Sequence, residues 1–358
     1  MPENARSTPC AVSVVVSTYN RADRIEPALR AILSQTGDVP YEIVVVDNNS
    51  TDDTAAIVQR IAREAGGRLR YAFEARQGLS HGRNTGIGLA RGSIVAFTDD
   101  DVRVAPDWVL EIARAFDRYP DIDYVGGRVL PRWLAPPPAW LTTAHWSPLA
   151  LQDYGSEPVR SSRQRAVCLV GASLAFRRRV FDMLGLFNPA YGRIRDGIGS
   201  TEDHEMQLRM WKAGLQGLYV PSILVTADVT ADRLTREYHR RWHRGHGRHC
   251  ARMRLRERVP ADMGPLSEPS DVVTIFGAPA FVYAEVWWAA TRWLRALGSG
   301  GDALFYDHRL RYLTSYLRDS YNAWSHAENR GTLRELISFS RAYLRKRAGR
   351  LATGPARV

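Results

Sequence analysis

The stretch GSIVAFTDDDV, Gly92–Val102, joins a short apolar run to three consecutive carboxylates. The run Ile94–Phe97 shows no alternation of apolar and polar residues, which predicts a strand buried on both faces. The carboxylates of Asp99–Asp101 repel one another, and a divalent cation with oxygen ligands would relieve that repulsion. The alternative is an acidic cluster at the N terminus of a helix opened by Pro106, where the helix dipole favours acids.

The sequence around this stretch alternates predicted strands with predicted helices. Unbroken β-branched runs at Ala11–Ser17 and Glu42–Val46 are typical of strands in a parallel sheet, and residues 21–35 between them have the apolar spacing of a helix. Further strands are predicted at residues 69–73, 94–98, 124–130, 167–176 and 218–225, and further helices begin near residues 54, 80, 106 and 202. We therefore expect an α/β fold, with a Rossmann-like, mostly parallel sheet flanked by helices.

Polar side chains follow three of these predicted strands, at Ser17–Arg21, Asp47–Asp52 and Thr98–Asp101. Ligands of an open α/β sheet bind beyond the C-terminal ends of the strands, so three polar clusters at one edge predict a single site. Magnesium or manganese is usually held by one or two carboxylates together with substrate phosphates, which indicates a phosphate-bearing substrate. The amide of Asn48 can donate and accept hydrogen bonds, as the imide edge of uracil or thymine requires.

A second acidic pair, Glu202 and Asp203, follows a glycine-rich segment and begins a predicted helix. One of these carboxylates could act as a general base if it faces the edge that carries Asp99–Asp101. The alternative is a helix-capping arrangement with the residues that precede the pair. The local sequence leaves both interpretations open.

The composition narrows the class of protein. The 358 residues carry a net charge of +11, and the basic residues are arginines except Lys212 and Lys346. Arginine binds phosphates bidentately, although an arginine-rich genome would produce the same bias. Three distant cysteines without a CxxC pair argue against a zinc site or a disulfide framework. The first predicted strand is not followed by GxGxxG, which argues against a dinucleotide oxidoreductase.

Six motifs in order resemble the family 2 glycosyltransferases, which have the GT-A fold: VVVSTYNR, EIVVVDNNSTDDT, GLSHGRNTGIGLARGSIVAFTDDDV, VGASLAFRR, GLFNPAYG and TEDHEMQLRMWKAG. The resemblance covers about residues 11–228. It implies a hexosyltransferase-like enzyme that moves a sugar from a nucleotide-diphosphate donor, with UDP or dTDP favoured, to a hydroxyl group with inversion. The acceptor would be a polysaccharide, a lipid-linked molecule or a secondary metabolite. The alternative is a catalytically inactive module that binds sugar nucleotides or phosphate.

The resemblance also implies roles for individual residues. The donor-binding set would be Thr18, Tyr19, Arg21, Asp47, Asn48, Arg83, Asn84, Asp99 and Asp100. Asp101 would ligate Mg²⁺ or Mn²⁺, with Asp99 in the metal shell or at the ribose. Asp203 would deprotonate the acceptor hydroxyl, with Glu202 beside it.

Three positions depart from the family pattern. Asn48 stands where a second Asp is frequent, Ser173 replaces an Asn, and Ala227–Asp228 occupies the place of a His after the last strand. If that histidine normally holds metal or diphosphate, its role would pass to one of three candidates: Asp228, His239 and His243.

The predicted catalytic domain spans residues 1–228, with a donor half at about 11–120 and an acceptor half at about 121–228. Residues 229–358 form a basic, helical C-terminal region. In it, Arg233–Arg258 holds ten arginines and four histidines, and the apolar segment Val272–Ala290 follows. That segment is about long enough to span a bilayer, but Glu285 within it argues against a span.

The basic run and the apolar segment together fit a peripheral anchor on an anionic membrane surface, the inner face of the cytoplasmic membrane. The alternative is packing against the catalytic domain or a second subunit of a homodimer, with the tryptophans buried. The basic run has only Tyr238 and Trp242 as aromatic residues, which argues against nucleic acid as a partner. The N terminus lacks an apolar signal-peptide core, so we expect a cytoplasmic protein.

Overall fold

The structure is a computed structural model that describes residues 10–194, 197, 201–260, 262–297 and 301–326. The chain divides into two compact units, Met1–Thr235 and Arg236–Val358. The predicted boundary near residue 229 lies six residues before this division, at the end of the last long strand of the first unit, Val229. Residues 327–358 of the predicted C-terminal helical region lie outside the described residues.

The first unit combines nine strands with six α-helices among its described residues. The strands are β1 (Val12–Thr18), β2 (Tyr41–Asp47), β3 (Leu69–Phe73), β4 (Ile94–Asp99), β5 (Val102–Val104), β6 (Tyr124–Trp133), β7 (Val159–Ser161), β8 (Ser173–Arg177) and β9 (Gly217–Val229). The helices are α1 (Ile25–Leu33), α2 (Thr54–Glu64), α3 (Leu79–Leu89), α4 (Trp108–Arg118), α5 (Arg179–Leu184) and α6 (Glu202–Lys212).

The strands form one sheet in the order β3-β2-β1-β4-β8-β6-β9-β5, with β7 paired to β9. The first four strands of this order are parallel, while β8 runs antiparallel to both β4 and β6. In register, Thr18 pairs with Asp47 and Ser17 pairs with Asp99. The predicted α/β fold class is confirmed, and the C-terminal ends of β1, β2 and β4 lie side by side.

The β-branched residues of β1 and β2 form the centre of the core. Val12, Val14 and Val16 are fully buried, as are Ile43–Val46 of the neighbouring strand. Burial of one such side chain contributes about 1.5–3 kcal/mol, so these strands are strongly favoured inside. Helix α3 packs closely on β1 at Gly86, where the absence of a side chain is required: a Cβ atom at this position would lie 2.3 Å from Cγ1 of Val15. This close packing determines where the other residues of α3 lie.

Two predictions for the sheet are corrected. The strand predicted at residues 167–176 begins only at Ser173, because side chains of α6 take the hydrogen bonds before it: Leu169 N donates to Gln207 Oε1 at 2.8 Å. The acids Asp99–Asp101 do not begin a helix. They turn the chain directly from β4 into β5, which pairs with β9, and α4 starts only at Trp108. The helix-dipole interpretation of the three acids is therefore wrong.

The second unit contains three helices among its described residues: α7 (Arg236–Arg252), α8 (Ala280–Ala296) and α9 (Gly301–Ser325). Val282 and Ala289 of α8 pack with Cys250 of α7 and with Leu313 and Tyr316 of α9. The apolar segment Val272–Ala290 is not one helix, since β10 (Thr274–Ile275) and β11 (Ala278–Pro279) form a hairpin before α8. In the part of the chain that the structure describes, no helix has the length and apolarity needed to cross a membrane.

Candidate active site

An open cleft lies where β1, β2 and β4 end. Five of the predicted donor-binding residues line it: Thr18, Tyr19, Arg21, Asn48 and Asp100. Four residues outside the predicted donor-binding set complete its wall: Ser17, Gln77, Leu79 and Arg193. Ser17 belongs to the polar cluster at the end of β1. Gln77 lies just before α3, Leu79 begins α3, and Arg193 lies in the segment after Tyr191. No spacing pattern in the sequence points to these three residues.

The carboxylate of Asp100 faces a cationic side chain across the cleft. Nε of Arg21 lies 3.3 Å from Oδ1 of Asp100, and the backbone N–H of Arg21 donates to Oγ1 of Thr54 at 2.8 Å. Burial and the neighbouring charge of Asp101 raise the pKa of Asp100 to about 6, against the opposing effect of Arg21. The charge of this cleft carboxylate therefore depends on the charges of its neighbours Asp101 and Arg21.

Asp47 and Asn48 bind the protein's own backbone. Asp47 is buried and accepts hydrogen bonds from Ser50 N at 2.9 Å and from the Tyr71 hydroxyl at 3.0 Å. The Asn48 amide donates to the carbonyls of Glu74 and Arg76 at 3.2 and 2.7 Å, and its oxygen accepts from Gly78 N at 2.6 Å. The Asn48 amide thus shapes the cleft by holding the segment 74–78, which differs from the expectation that it reads a base.

Arg83 is the centre of a buried ion-pair network. Its Nη1 donates to Glu202 Oε1 at 2.7 Å, and its Nη2 lies 3.5 Å from Asp99 Oδ1. The guanidinium carbon lies 5.7 and 5.6 Å from the ring centroids of Phe97 and Phe187. Burial by itself would lower the pKa of Arg83, but the charges of Glu202, Asp99 and Asp203 outweigh it and raise that pKa.

The predicted acidic pair begins α6 and the two carboxylates have different surroundings. Glu202 is buried against Arg83. Asp203 Oδ2 accepts from Gly171 N at 3.0 Å, and its Oδ1 accepts from His204 N at 2.8 Å. Partial burial raises the pKa of Asp99 against the opposing charge of Arg83, and the negative charges of Asp101 and Asp203 raise it further. The carboxylates at the end of β4 and at the start of α6 therefore belong to one electrostatic cluster.

Asn84 lies beside this network and contacts the backbone. Its Nδ2 donates to the Phe187 carbonyl at 2.8 Å, and its Oδ1 accepts from Phe187 N at 3.0 Å. These two bonds hold the ring of Phe187 where Arg83 packs on it. The structure therefore gives Asn84 a positioning contact, away from the residues that line the cleft.

The end of β9 lies against Asp101. The backbone N–H of Asp228 donates to the Asp101 carbonyl at 3.0 Å, while Nη1 of Arg233 lies 3.6 Å from Oδ2 of Asp101. The Asp228 carboxylate accepts two hydrogen bonds from Arg132, each at 2.6 Å. His239 and His243, the other candidates for the missing family histidine, belong to α7 of the second unit.

The donor atoms at the end of β4 fit a divalent cation that is shared with a substrate. Within the described ranges, no three His, Cys, Asp or Glu side chains are grouped so as to hold a metal ion. Asp99 and Asp101 offer two carboxylates whose side chains are 36% and 19% exposed. Magnesium and manganese commonly take one or two carboxylates and complete their shell with phosphate oxygens and water. Two carboxylates plus a diphosphate match this donor set.

Comparisons with known proteins agree with this architecture. The family model "Glycosyl transferase family 2" matches residues 13–185. A glucosyl-dolichyl phosphate glucuronosyltransferase of Haloferax volcanii is 28% identical over 207 residues, which cover 56% of this chain and 63% of that protein. A GalNAc(5)-diNAcBac-PP-undecaprenol beta-1,3-glucosyltransferase of Campylobacter jejuni is 37% identical over 92 residues, which cover 25% and 29%. The chain thus spans less than two thirds of either relative.

The fold has counterparts among solved structures. A mannosyltransferase of Pyrobaculum calidifontis, solved with GDP-Man and Mn²⁺, superposes with a TM-score of 0.56 at 22% identity, covering 88% of each chain. At this identity the likeness concerns the fold. Together, the two comparisons lead to one conclusion: residues 13–185 of this chain match glycosyl transferase family 2, and the first unit has a GT-A-like fold.

Proposed function

We propose that this protein transfers a sugar from a nucleotide-diphosphate donor to a hydroxyl acceptor, with inversion at the anomeric carbon. One observation supports this above the others: Arg83 bridges Asp99, at the end of β4, to Glu202, at the start of α6. Through this bridge, carboxylates suited to a metal–diphosphate group stand in one cluster with Asp203. A transferase of this kind needs both parts, a site for the leaving diphosphate and a base for the acceptor.

The donor nucleotide would lie in the cleft at the ends of β1 and β2. Thr18, Tyr19 and Arg21 line it and offer a hydroxyl, an aromatic ring and a guanidinium group. Because Asn48 is bonded to the segment 74–78, the base would contact the backbone and the ring of Tyr19 more than the Asn48 amide. The sequence favours UDP or dTDP, and the related fold from Pyrobaculum calidifontis was solved with GDP-Man. A panel of donors is therefore the direct test.

Asp101 and Asp99 would hold Mg²⁺ or Mn²⁺ together with the donor phosphates. When bound, such an ion neutralises the negative charge that builds up on the leaving diphosphate. Arg233, which faces Asp101 in the structure, is placed to exchange the carboxylate for a phosphate oxygen when the donor enters. Arg83 keeps the Asp99 carboxylate turned towards the cluster.

Asp203 would act as the general base. Hydrogen bonds from the backbone N–H groups of Gly171 and His204 hold its carboxylate in place. A carboxyl group acts as a general base in its ionised form. In that form it accepts the proton of the acceptor hydroxyl as the oxygen attacks the anomeric carbon, and the diphosphate leaves from the opposite face. A single displacement of this kind inverts the anomeric centre. Glu202, which is buried against Arg83, would position the network rather than touch substrate.

The acceptor would be a lipid-linked sugar, in preference to a free polysaccharide or a secondary metabolite. The names of the two relatives described above specify a lipid carrier, dolichyl phosphate in one case and undecaprenol in the other. The sugar and the linkage position are for the acceptor assays to determine.

The test is a screen of UDP-, dTDP- and GDP-sugars with Mn²⁺, which scores release of nucleoside diphosphate with and without polyprenyl-phosphate-linked acceptors. We expect slow hydrolysis with one donor and faster release when the right acceptor is added. Asp203→Asn should bind that donor and lose turnover. Tight binding of a sugar nucleotide without any turnover would instead support the inactive binding module.

A further inference from the structure

Helix α8 of the second unit buries small residues and exposes large ones. Its buried residues are Val282, Ala289 and Ala296. Its large exposed apolar residues, together with Leu297 directly after the helix, form an apolar strip, which we call the α8 face: Phe281, Trp287, Trp288, Leu294 and Leu297. Trp287 is 74% exposed. Single exposed apolar residues are ordinary, but a strip with two tryptophans on one helix is typical of a surface that binds a membrane or another molecule.

The exposed charged residues of α8 have one sign. The acid of this helix, Glu285, pairs with Arg256 and with Arg309, the latter at 3.0 Å. Arg292 and Arg295, at the C-terminal end of the helix, are exposed. The guanidinium groups of Arg292 and Arg309 lie 5.6 and 5.8 Å from the ring centroid of Trp288. The exposed side of α8 thus combines aromatic rings with cations and carries no carboxylate.

The sequence places the net charge of the protein in this unit. Residues 1–235 contain 27 basic and 27 acidic residues, whereas residues 236–358 contain 22 basic and 11 acidic residues. The first unit is therefore neutral overall, and the second carries the whole excess of +11. A unit with this net charge repels a second copy of itself and is attracted to an anionic surface.

We propose that the α8 face lies on the surface of an anionic lipid bilayer, with the helix axis parallel to the membrane. Tryptophan and arginine are the side chains suited to the headgroup region, because the rings tolerate both water and acyl chains while the cations bind lipid phosphates. A helix with an apolar strip and basic flanks binds in the interface without crossing it. The proposal concerns the second unit and does not depend on the sugar-transfer chemistry.

The experiment measures co-sedimentation of the full-length protein with vesicles of phosphatidylglycerol and phosphatidylcholine in equal parts, and with vesicles of phosphatidylcholine alone. We expect binding to the anionic vesicles that weakens as salt is added, together with a blue shift of tryptophan fluorescence. The double variant Trp287→Ser, Leu294→Ser should weaken binding at least tenfold. Its control is Met183→Ser with Leu186→Ser, two exposed apolar residues of the first unit, which should bind like the parent.

A second variant removes positive charge from α8 and tests the electrostatic part of vesicle binding separately from the apolar part. Arg292→Gln with Arg295→Gln should weaken binding to the anionic vesicles severalfold, whereas Arg63→Gln with Arg91→Gln, in the first unit, should not. Equal vesicle binding by the parent and the Trp287→Ser, Leu294→Ser variant would overturn the proposal. So would a dimer in light scattering that this double variant dissociates, since the α8 face would then be a contact between copies.

Discussion

Nη1 of Arg83 lies 2.7 Å from Oε1 of Glu202, although the two residues are 119 positions apart in the chain. Both side chains are almost completely buried, so water could not solvate either charge if its partner were removed. The pair connects α3 to α6, and Arg83 extends the connection to Asp99. A buried ion pair is a weak source of net stability, but the loss of one partner strands a charge in the interior.

Replacement of Arg83 by Met should therefore reduce the free energy of unfolding by about 3–5 kcal/mol, because the buried carboxylate of Glu202 would lose the guanidinium charge that faces it. Urea unfolding measures this loss. The control is Arg114→Met, which removes an exposed ion pair with Glu111 and should cost less than about 1 kcal/mol. Similar losses in the two variants would show that the Arg83 pair is not buried in solution.

Replacement of Gly171 by Ala should impair the site through Arg83. A Cβ atom at Gly171 would lie 2.7 Å from Nη2 of Arg83, so the guanidinium would have to move away from Asp99. A displacement of about 1 Å near reacting groups can lower activity about 100-fold, and we expect a loss of that order in donor hydrolysis. In Gly88→Ala the new methyl group meets nothing within 4 Å, and this variant should keep its activity and gain stability. Equal activity of the two variants would contradict the proposed role of the bridge.

Replacement of Asp203 by Asn should lower kcat by about 10²–10⁴-fold and leave donor affinity unchanged, because the amide oxygen can still accept from Gly171 N but the side chain cannot take a proton. Steady-state kinetics and calorimetric titration of the donor separate the two effects. Glu205→Gln is the matched control, since Glu205 lies on the same helix and pairs with Arg209. Retention of more than about a tenth of kcat in Asp203→Asn would assign the base to another residue.

Asp101 and Arg233 should affect metal binding in opposite directions. Asp101→Asn should abolish Mn²⁺ binding at this site because a carboxylate ligand is lost. Arg233→Gln should tighten Mn²⁺ binding up to about fivefold without nucleotide, because a partly exposed ion pair worth about 0.2–1 kcal/mol no longer competes for Asp101. Electron paramagnetic resonance of free Mn²⁺ measures the Mn²⁺ affinity of each variant.

The control for this pair is Arg103→Gln, since Arg103 lies 4.0 Å from Asp228 and not against Asp101. Its affinity for Mn²⁺ should equal that of the parent. Unchanged Mn²⁺ affinity in Asp101→Asn would remove Asp101 from the proposed ligands.

Glu74 should contribute stability that depends on pH. Hydrogen bonds from Arg76 and Thr85 outweigh burial and lower the pKa of Glu74 to about 2. A depressed pKa stabilises the fold fully above the ordinary value of 4.5, and the contribution is lost as the pH falls from 4.5 towards 2. Glu74→Gln should therefore lower the free energy of unfolding by about 1–3 kcal/mol at pH 7, and by clearly less at pH 3.5, in urea unfolding. If the parent and Glu74→Gln differed in free energy of unfolding by the same amount at both pH values, the lowered pKa of Glu74 would be contradicted.

Much of the fold could be predicted because it depends on local patterns. Unbroken β-branched runs predicted β1, β2 and β4, and helical spacing predicted the helices between them, since burial of both faces of a parallel sheet leaves few other choices of side chain. The same reasoning placed the polar clusters after these strands at one edge. The apolar composition of Val272–Ala290 suggested one continuous segment. It does not show that Gly277, with φ at +76°, turns a hairpin before α8.

The order of the strands along the chain, the acids at the end of β4 and the basic excess of the second unit can all be read from local sequence. The partner of each charged or polar side chain depends on how the chain folds. Arg83 meets Glu202, and Arg233 meets Asp101, through contacts between segments that are far apart in the chain. Asn48, predicted to read a base, holds the segment 74–78. The physical reason is that hydrogen bonds and ion pairs act over about 3 Å, and distances of that size between distant residues arise only when the helices pack onto the sheet.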